Sequence, residues 1–310
     1  MILSSTIIPT IGRPLLERAV ASVLEQGCPI GSFEIIVVND SGQPLPPMPC
    51  LAAPPLRVIE TQRTERSVAR NTGAAVARGA YLHFLDDDDY LLPGGLQSLH
   101  GALPANNSAR IYGGVRVVDR LGEQVDEVMP TVAGDLLALY TAGESIHLCG
   151  SIIRRDTFFA VGGFDPALTV GEDHDLEIRL ALHGETFGIK QIVGCVAIGE
   201  QGSSTAWSRL RTSHQYIREK TLDMPTVFRR LREAVRRDTH LCGRICRIYL
   251  ASALLNLRRG YATRAAGRLF CAARLASRQS LHPTFWSGLA NRPWFQRPAQ
   301  HGVTSRLPAA

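Results

Sequence analysis

Four consecutive aspartates, Asp86 to Asp89, are the densest group of side chains in the sequence that could do chemistry. They directly follow the apolar run Tyr81 to Leu85. Carboxylates this close repel one another unless a cation lies among them, and carboxylate oxygens together with substrate phosphates suit Mg²⁺ or Mn²⁺. The cluster therefore predicts a divalent-metal site. A solvated acidic turn that caps the next helix is the alternative.

A second group, Arg66, Arg70 and Asn71, lies just upstream in the run Arg-Ser-Val-Ala-Arg-Asn-Thr-Gly. Arginines one helix away from a metal-binding strand end are placed to bind phosphate oxygens, and Asn71 can hydrogen-bond a ribose or the backbone. The alternative, arginines exposed on a helix surface, stays open, for Arg66 in particular.

The elements that must position these groups alternate between short β-branched runs and helical stretches over the first 90 residues. We predict strands at Thr6–Ile8, Phe33–Asn39, Leu56–Ile59 and Tyr81–Leu85, with helices at Pro14–Glu25 and Ser67–Ala77. This order predicts a doubly wound α/β sheet, in which ligands bind beyond the carboxyl ends of the strands. Three polar clusters fall at such ends: Thr10–Arg13, Asn39–Gly42 and Asp86–Asp89.

Further strands and one helix are predicted downstream. Residues 110–129 read as a hairpin turning at Leu121-Gly122, and Ser151–Arg154 and Val193–Ile198 read as strands. Glu172–His183 reads as a helix on which Leu176, Leu180 and His183 share one stripe, so we expect His183 to be packed.

Five motifs, in order, resemble those of family 2 glycosyltransferases of the GT-A fold. They are Ser-Thr-Ile-Ile-Pro-Thr-x-x-Arg-Pro, Glu-Ile-Ile-Val-Val-Asn-Asp-Ser-Gly, Ala-Arg-Asn-x-Gly, Phe-Leu-Asp-Asp-Asp-Asp-Tyr-Leu, and Gly-Gly-Phe-Asp with Glu-Asp-His-Asp-Leu. The resemblance covers about residues 3–205. It implies a mixed, mostly parallel sheet flanked by helices, and an inverting, metal-dependent hexosyltransferase that moves a sugar from a nucleoside diphosphate, most simply UDP, to a saccharide or lipid-linked acceptor.

The same resemblance implies a role for individual residues. Asp40 would read the nucleobase, Asp86 would lie near the ribose, and Asp88, with Asp86, would bind the metal. Asp173 would be the general base that deprotonates the acceptor hydroxyl. The substrate-binding set is completed by Thr10, Arg13, Arg70, Asn71, Glu172 and His174. Asp173 opens a predicted helix, where the dipole lowers a carboxylate's pKa, so a purely structural helix acid stays open as an alternative.

The sequence departs from the family pattern in two places. Asn39-Asp40-Ser41-Gly42 replaces the commoner Asp-Asp-Gly-Ser, although Asp40 is retained. The Gln-x-x-Arg-Trp motif of processive synthases is missing, so we expect one sugar to be added per encounter. We expect cell-envelope polysaccharide or glycolipid biosynthesis; the alternative is a catalytically inactive nucleotide-sugar-binding or membrane-surface scaffold protein.

Charge divides the chain into two parts. Residues 1–208 hold 14 Lys and Arg against 24 Asp and Glu, whereas residues 209–310 hold 20 against 4. We expect a GT-A domain over 1–208, with a nucleotide and metal half at 1–105 and an acceptor half at 106–208, followed by a basic helical region at 209–310. Such a region favours an anionic membrane surface or a solvated, packed face.

Two basic amphipathic helices are expected within this region, at Val227–Arg237 and Ala262–Arg278. In the second, the arginines Arg264, Arg268, Arg274 and Arg278 gather opposite Ala266, Leu269, Phe270 and Ala273. The aromatic residues Phe285, Trp286, Trp294 and Phe295 could sit at a membrane interface.

Other classes of protein fit the sequence poorly. Seven scattered cysteines without a Cys-x-x-Cys pair argue against a disulfide framework or a zinc site. Nucleic-acid binding is not expected, since no recognition motif accompanies the arginines. The N-terminus lacks a basic leader, and no apolar run approaches the ~20 residues of a bilayer span, so we expect a cytoplasmic protein, peripheral to the inner face of the membrane.

Overall fold

The chain divides into two units. In the computed structural model, which describes residues 1–52, 54–103, 107–119, 121–197 and 207–291, unit 1 comprises Met1–Gly134 and Ile146–Thr205, and unit 2 comprises Asp135–Ser145 and Ala206–Ser305.

Unit 1 is built on one mixed sheet with helices on both faces. Its strands are β1 (Ser4–Thr10), β2 (Phe33–Asn39), β3 (Leu56–Glu60), β4 (Tyr81–Phe84), β5 (Tyr90–Leu91), β6 (Arg110–Val118), β7 (Gln124–Val128), β8 (Ser151–Arg154) and β9 (Thr186–Ala197). The helices of the chain are α1 (Leu16–Leu24), α2 (Arg66–Val76), α3 (Gly95–Gly101), α4 (Leu137–Thr141), α5 (Arg155–Ala160), α6 (Glu172–Ala181), α7 (Trp207–Asp223), α8 (Val227–Ala234), α9 (Thr239–Arg258), α10 (Ala262–Ala276) and α11 (Pro283–Ala290). Of these, α4 and α7–α11 belong to unit 2.

The strand order is β3-β2-β1-β4-β8-β6-β9-β5, with β7 paired to β6. Strands β3, β2, β1 and β4 are parallel, and β8 and β5 run antiparallel to their neighbours. Alternate residues of β1 and β2 enter two apolar layers: Ile7 and Ile36 lie in one, and Ile8 and Ile35 in the other. Burial on both faces explains the continuous β-branched runs, and confirms the predicted doubly wound parallel arrangement of the first 90 residues.

The first strand continues through Pro9, where the sequence predicted it to stop. The backbone of Ile7 faces β4, because its carbonyl accepts from the amide of Leu85, and Thr10 faces β2, because its carbonyl accepts from Asp40. Pro9 therefore faces the β4 side, two residues beyond Ile7. The β1–β4 pairing has already ended there, so a missing N–H costs no ladder hydrogen bond.

The later elements of unit 1 mostly follow the sequence predictions. The hairpin β6–β7 and strand β8 form as expected. Strand β9 begins at Thr186, seven residues before the predicted Val193, because its partly exposed first half still pairs with β6 across two register shifts. Ile198, the predicted end, lies outside the described residues. The prediction that His183 is packed is wrong: α6 ends at Ala181 and His183 is exposed.

Helices α7–α11 confirm the helical character of residues 207–291. In α8, Val227 and Leu231 are buried, as is Val235 just beyond it, while Arg229 and Arg232 are exposed, as the amphipathic pattern predicted. Asp238 caps α9 by accepting from the amide of Leu241 at 2.8 Å. No helix among the described residues is long and apolar enough to cross a membrane.

The predicted faces of α10 are wrong. Arg268 is 8% exposed, whereas Leu269 and Phe270 are 45% and 60% exposed. Arg268 donates to the carbonyl of Leu222 at 2.6 Å and pairs with the carboxylate of Asp223. These partners come from the end of α7, so the periodicity of α10 alone could not reveal that Arg268 turns inward while Arg264 and Arg274 stay exposed.

Candidate functional site

A cleft with a volume of about 860 Å³ opens at the carboxyl ends of β1, β2 and β4. Its lining includes members of all three predicted polar clusters, among them Thr10, Arg13, Asp40 and Asp86 to Asp89, together with Arg66 and Arg70. Since β2 and β4 lie on opposite sides of β1, the cleft occupies the point where the chain switches from one side of the sheet to the other, the usual ligand position in such sheets.

The four aspartates form a turn closed by a 3.1 Å hydrogen bond from the amide of Asp89 to the carbonyl of Asp86. The turn sorts their side chains into two groups. Asp86, Asp88 and Asp89 place carboxylate oxygens within 4.8 Å of one another. Asp87 is buried and is bound by the end of β1: it accepts from the hydroxyl of Thr10 at 2.6 Å and from Arg13 at 3.1 Å.

Arg13 also reaches the cluster formed by Asp86, Asp88 and Asp89. The same Nη1 atom donates to Asp88 at 2.7 Å, and Arg18 donates to the carbonyl of Asp88 at 2.8 Å. Arg18 in turn stacks over the ring of Tyr90, 4.4 Å from its centroid. The turn is thus fixed from outside by two arginines, one of which, Arg18, sequence reasoning missed.

The residues of this cluster fit a hard divalent cation. Burial, and then the charges of Asp86 and Asp88, raise the pKa of Asp89 well above its usual value, although the amide of Ala197 donates to it at 3.1 Å. Burial also raises the pKa of Asp87. The three carboxylates repel one another, and a cation between them would remove that repulsion. Carboxylate oxygens are the ligands that Mg²⁺ and Mn²⁺ prefer. Asp89 joins the predicted pair Asp86 and Asp88 in this group.

Asp40 lies at the end of β2 in a ring of donors. It accepts from the hydroxyl of Thr61 at 2.6 Å, from the amide and hydroxyl of Thr64 at 2.8 and 2.9 Å, and from the amide of Glu65 at 3.1 Å. Burial opposes its ionisation, yet these hydrogen bonds outweigh burial and lower its pKa. Asp40 is therefore a fixed anion in the wall of the cleft.

Arg70 connects the aspartate turn to α6. Its guanidinium pairs with Asp86 and donates to Glu172 at 2.9 Å, and Arg66 lies 3.6 Å from the same Glu172 oxygen. Burial opposes the ionisation of Asp86, but the charge of Arg70 outweighs it and lowers the pKa of Asp86. Burial and the neighbouring Asp173 raise the pKa of Glu172. Arg70 is only 2% exposed, so protein carboxylates already engage this predicted diphosphate ligand.

Four of the predicted substrate-binding or catalytic residues, Asn71, Glu172, Asp173 and His174, are not among the described residues that line the cleft. Asn71 donates to the carbonyl of Phe164 at 2.8 Å and accepts from its amide at 2.9 Å. It thereby fixes the Gly-Gly-Phe-Asp loop. Of the two predicted partners of Asn71, a ribose or the backbone, the structure shows the backbone.

Asp173 lies in the first turn of α6 and is partly exposed. Its carboxylate accepts from the amide of His174 at 2.8 Å. The next turn of α6 is anchored by a buried ion pair, since Arg110 donates to Glu177 at 2.6 Å and the same Glu177 oxygen accepts from the amide of Ile146 at 2.8 Å. His174 lies 3.8 Å from the other Glu177 oxygen and is 7% exposed, so it packs beside Asp173 and not in the cleft.

The sheet topology and the cleft define an α/β domain with a candidate ligand site, and comparison with known proteins shows what the chain is similar to. Residues 5–156 match the model of Glycosyl transferase family 2, the family that the sequence motifs resemble. An uncharacterized glycosyltransferase of Haemophilus influenzae is 27% identical over 185 residues, which are 57% of this chain and 61% of that protein. The alignments span 31 to 61% of the length of the first three curated relatives.

Two further likenesses concern named transferases. The poly(ribitol-phosphate) β-N-acetylglucosaminyltransferase TarP of Staphylococcus aureus is 31% identical over 115 residues, 35% of either chain. The crystal structure of S. aureus TarS with UDP-GlcNAc superposes with a TM-score of 0.60 at 14% identity, covering 88% of this chain and 92% of that one. The mannosyltransferase PcManGT from Pyrobaculum calidifontis, with GDP-Man and Mn²⁺, superposes with a TM-score of 0.51 at 19% identity, over 87% and 86% of the two chains. The structural likenesses establish the GT-A fold, as predicted.

Proposed function

We propose that the protein is an inverting glycosyltransferase that moves a sugar from a nucleoside diphosphate to an acceptor hydroxyl. The observation that carries the proposal is the continuous polar chain through Asp88, Asp86, Arg70 and Glu172 to Asp173. Asp86 and Asp88 lie in one carboxylate cluster, Arg70 pairs with both Asp86 and Glu172, and Asp173 follows Glu172 in α6. This arrangement supplies a place for a diphosphate and a carboxylate base on separate elements.

In this proposal the carboxyl ends of β1 and β2 bind the nucleotide. Asp40, held ionised by its donors, accepts hydrogen bonds from the N–H edge of a nucleobase. Arg13 is 46% exposed in its side chain, so its guanidinium has N–H groups available to phosphate oxygens besides the one that binds the aspartates. Residues 1–105 then form the nucleotide half of the domain, and residues 106–208 the acceptor half.

Asp86, Asp88 and Asp89 would hold Mg²⁺ or Mn²⁺. When bound, such an ion neutralises the negative charge that develops on the departing diphosphate. Arg70 keeps Asp86 ionised and in place, because the two side chains form an ion pair. Arg13 neutralises the outward side of Asp87 and Asp88.

Asp173 acts as the general base in the proposed reaction. It removes the proton of the acceptor hydroxyl as that oxygen attacks the anomeric carbon, and the bond to the diphosphate breaks on the opposite face. A single in-line displacement of this kind inverts the anomeric configuration. The Arg110–Glu177 pair fixes α6 and thereby the direction of Asp173.

For the donor we propose a UDP-sugar, and for the acceptor a saccharide or lipid-linked polymer of the cell envelope. The likeness to TarS with UDP-GlcNAc, and to TarP, which is named for a poly(ribitol-phosphate) substrate, supports this choice. An envelope acceptor assembled on a lipid would place the enzyme peripherally at the inner face of the cell membrane. The excess of arginine in residues 209–310 favours that location.

Calorimetric titration of the purified protein with UDP, GDP, dTDP and CDP, each with and without Mn²⁺, tests the proposal. We expect one diphosphate to bind, and to bind at least tenfold more tightly with the metal. Asp40→Asn should weaken the binding of that diphosphate and leave the metal dependence of binding intact. Binding of no diphosphate would contradict the proposal. Binding without turnover of the matching nucleotide sugar on any envelope-derived acceptor would favour an inactive nucleotide-sugar-binding scaffold.

A further inference from the structure

Helix α9 presents a stripe of leucines to solvent. Leu250, Leu254 and Leu257 are 40%, 50% and 53% exposed, and their spacing of four and three residues places them on one face of the helix. The packed side of the same helix is mostly apolar, with Ile245 and Tyr249 buried, and it also holds Ser252 and Asn256, which bind the carboxylate of Glu219 at 2.7 and 2.8 Å. Helix α9 therefore carries apolar side chains on its exposed face as well as on its packed face.

Helix α10 also exposes large apolar side chains. Arg268 is buried against Asp223, while Leu269 and Phe270 are 45% and 60% exposed. We call the exposed apolar residues Leu250, Leu254, Leu257, Leu269 and Phe270 the apolar ridge. Single exposed leucines are normal on a protein surface, whereas three on one face of α9, with two further exposed apolar side chains on the adjoining helix, are more than a solvent-facing surface requires.

The surroundings of the apolar ridge are basic. Arg258 and Arg259 are exposed at the end of α9. Arg264 and Arg274 of α10 lie over the rings of Tyr261 and Phe270, at 5.9 and 5.7 Å from the centroids. An arginine on an aromatic ring buries its stem and keeps its charge toward solvent, where a phosphate can reach it.

Three of the four acidic residues within 209–291 are engaged. Glu219 binds Ser252 and Asn256, Asp223 pairs with Arg268 and Arg264, and Asp238 caps α9. The fourth, Glu233 of α8, is exposed. The exposed charge of helices α9 and α10 is positive, since Arg258, Arg259, Arg264 and Arg274 are exposed and these two helices contain no Asp or Glu.

From these observations we infer that the apolar ridge docks on an anionic phospholipid bilayer. Leucine and phenylalanine side chains enter the boundary between headgroups and acyl chains, and the flanking arginines bind lipid phosphates. A second copy of the chain fits this surface poorly, because it would bring two sets of arginines together. The inference rests on the proposed location at the membrane, but not on the transfer reaction.

Flotation of the full chain with vesicles tests the inference. The vesicles contain phosphatidylcholine alone, or phosphatidylcholine with 30% phosphatidylglycerol. We expect the protein to float only with the anionic vesicles, and less in 0.5 M NaCl. Leu254→Gln/Leu257→Gln should lower the partition coefficient about tenfold, and Arg258→Gln/Arg259→Gln about thirtyfold, at about a fivefold loss per arginine. The matched control is Ile30→Gln, since Ile30 is 94% exposed in unit 1.

Because these side chains are exposed, all variants should keep the wild-type melting temperature and the wild-type nucleotide titration. Absence of flotation with anionic vesicles, or equal flotation of the leucine variant and the wild type, would overturn the inference even if nucleotide binding is normal. Light scattering supplies a further check: a wild-type dimer that the leucine variant converts to a monomer would assign the ridge to self-association and also overturn the inference.

Discussion

The guanidinium of Arg70 and the carboxylate of Glu172, 102 residues apart in the chain, form a buried ion pair with a 2.9 Å hydrogen bond. Arg70 also pairs with Asp86, so it lies between two carboxylates. Among the ion pairs of the described residues, no other cation contacts both Asp86 and Glu172. One arginine thus fixes the aspartate turn and the start of α6, where Asp173 lies.

Replacing Arg70 should therefore lower the stability of the protein. Arg70→Gln leaves the buried Glu172 unpaired by its nearest cation, so we expect the free energy of unfolding to fall by about 3 kcal/mol. Glu172→Gln in the Arg70→Gln background should restore part of that loss. Urea unfolding of the single and double variants measures the coupling. Arg78→Gln, at an exposed position, is the control and should change stability by less than about 0.5 kcal/mol. Additive effects of the two substitutions would show that the pair does not couple the elements.

Metal binding and proton removal should separate by mutation. Asp88→Ala removes a donor from the acidic cluster, so we expect it to abolish the Mn²⁺ dependence of diphosphate binding. Asp173→Asn keeps the shape of the side chain but cannot accept a proton, so we expect unchanged diphosphate binding and at least a hundredfold loss of turnover. Calorimetry and a sugar-transfer assay measure the two effects. Normal turnover of Asp173→Asn would show that another group is the base.

The parts of the fold that sequence reasoning predicted are those set by local pattern. Local pattern predicts strands β2, β6 and β8 from β-branched runs and helix α8 from a 3.6-residue period. The polar clusters after β1, β2 and β4 meet because carboxyl ends of parallel strands lie at one edge of a sheet.

The partner of each side chain is what sequence reasoning could not supply. Four adjacent aspartates look equivalent in a sequence, yet Thr10 binds Asp87 across 77 residues and Arg13 binds both Asp87 and Asp88. The sequence predicts that Asn71 binds a ribose or the backbone. Only the fold reveals that its side chain makes two hydrogen bonds with the backbone of Phe164. Such pairings depend on which loops meet, and no local period encodes them.

Acid should destabilise unit 1 through His83. Its ring is fully buried in β4, between the hydroxyl of Thr6 at 3.1 Å and the carbonyl of Cys149 at 2.8 Å. Burial lowers the pKa of His83 to about 4, against about 6.5 in an unfolded chain. Between these values the unfolded state binds a proton that the folded state does not. The stability contributed by neutral His83 is therefore complete above pH 6.5 and is lost as the pH falls toward 4.

Urea unfolding at pH 7, 6 and 5 measures this loss. We expect a slope of up to about 1.4 kcal/mol per pH unit from His83 alone, and about 3 kcal/mol over the whole interval. His83→Gln removes the titrating group. The slope of its unfolding free energy against pH should therefore be smaller by up to about 1.4 kcal/mol per pH unit, the contribution of one proton. His183→Gln, at an exposed histidine, should keep the wild-type slope. An unchanged slope in His83→Gln would assign the acid sensitivity to other groups.

The buried position of Arg268 in α10 leads to the last prediction. Arg268 donates to the carbonyl of Leu222 at 2.6 Å, to the hydroxyl of Ser252 at 3.2 Å and to Asp223, so its loss leaves a buried carbonyl and a hydroxyl without this donor. We expect Arg268→Gln to lower the free energy of unfolding by about 3 kcal/mol, because two buried acceptors, on Leu222 and Ser252, each lose a hydrogen bond from a charged donor. Arg274→Gln, two turns away and exposed, should change it by less than about 0.5 kcal/mol. Thermal or urea unfolding followed by circular dichroism distinguishes the two. Equal effects would mean that both arginines lie in solvent, as the periodicity of the helix alone predicts.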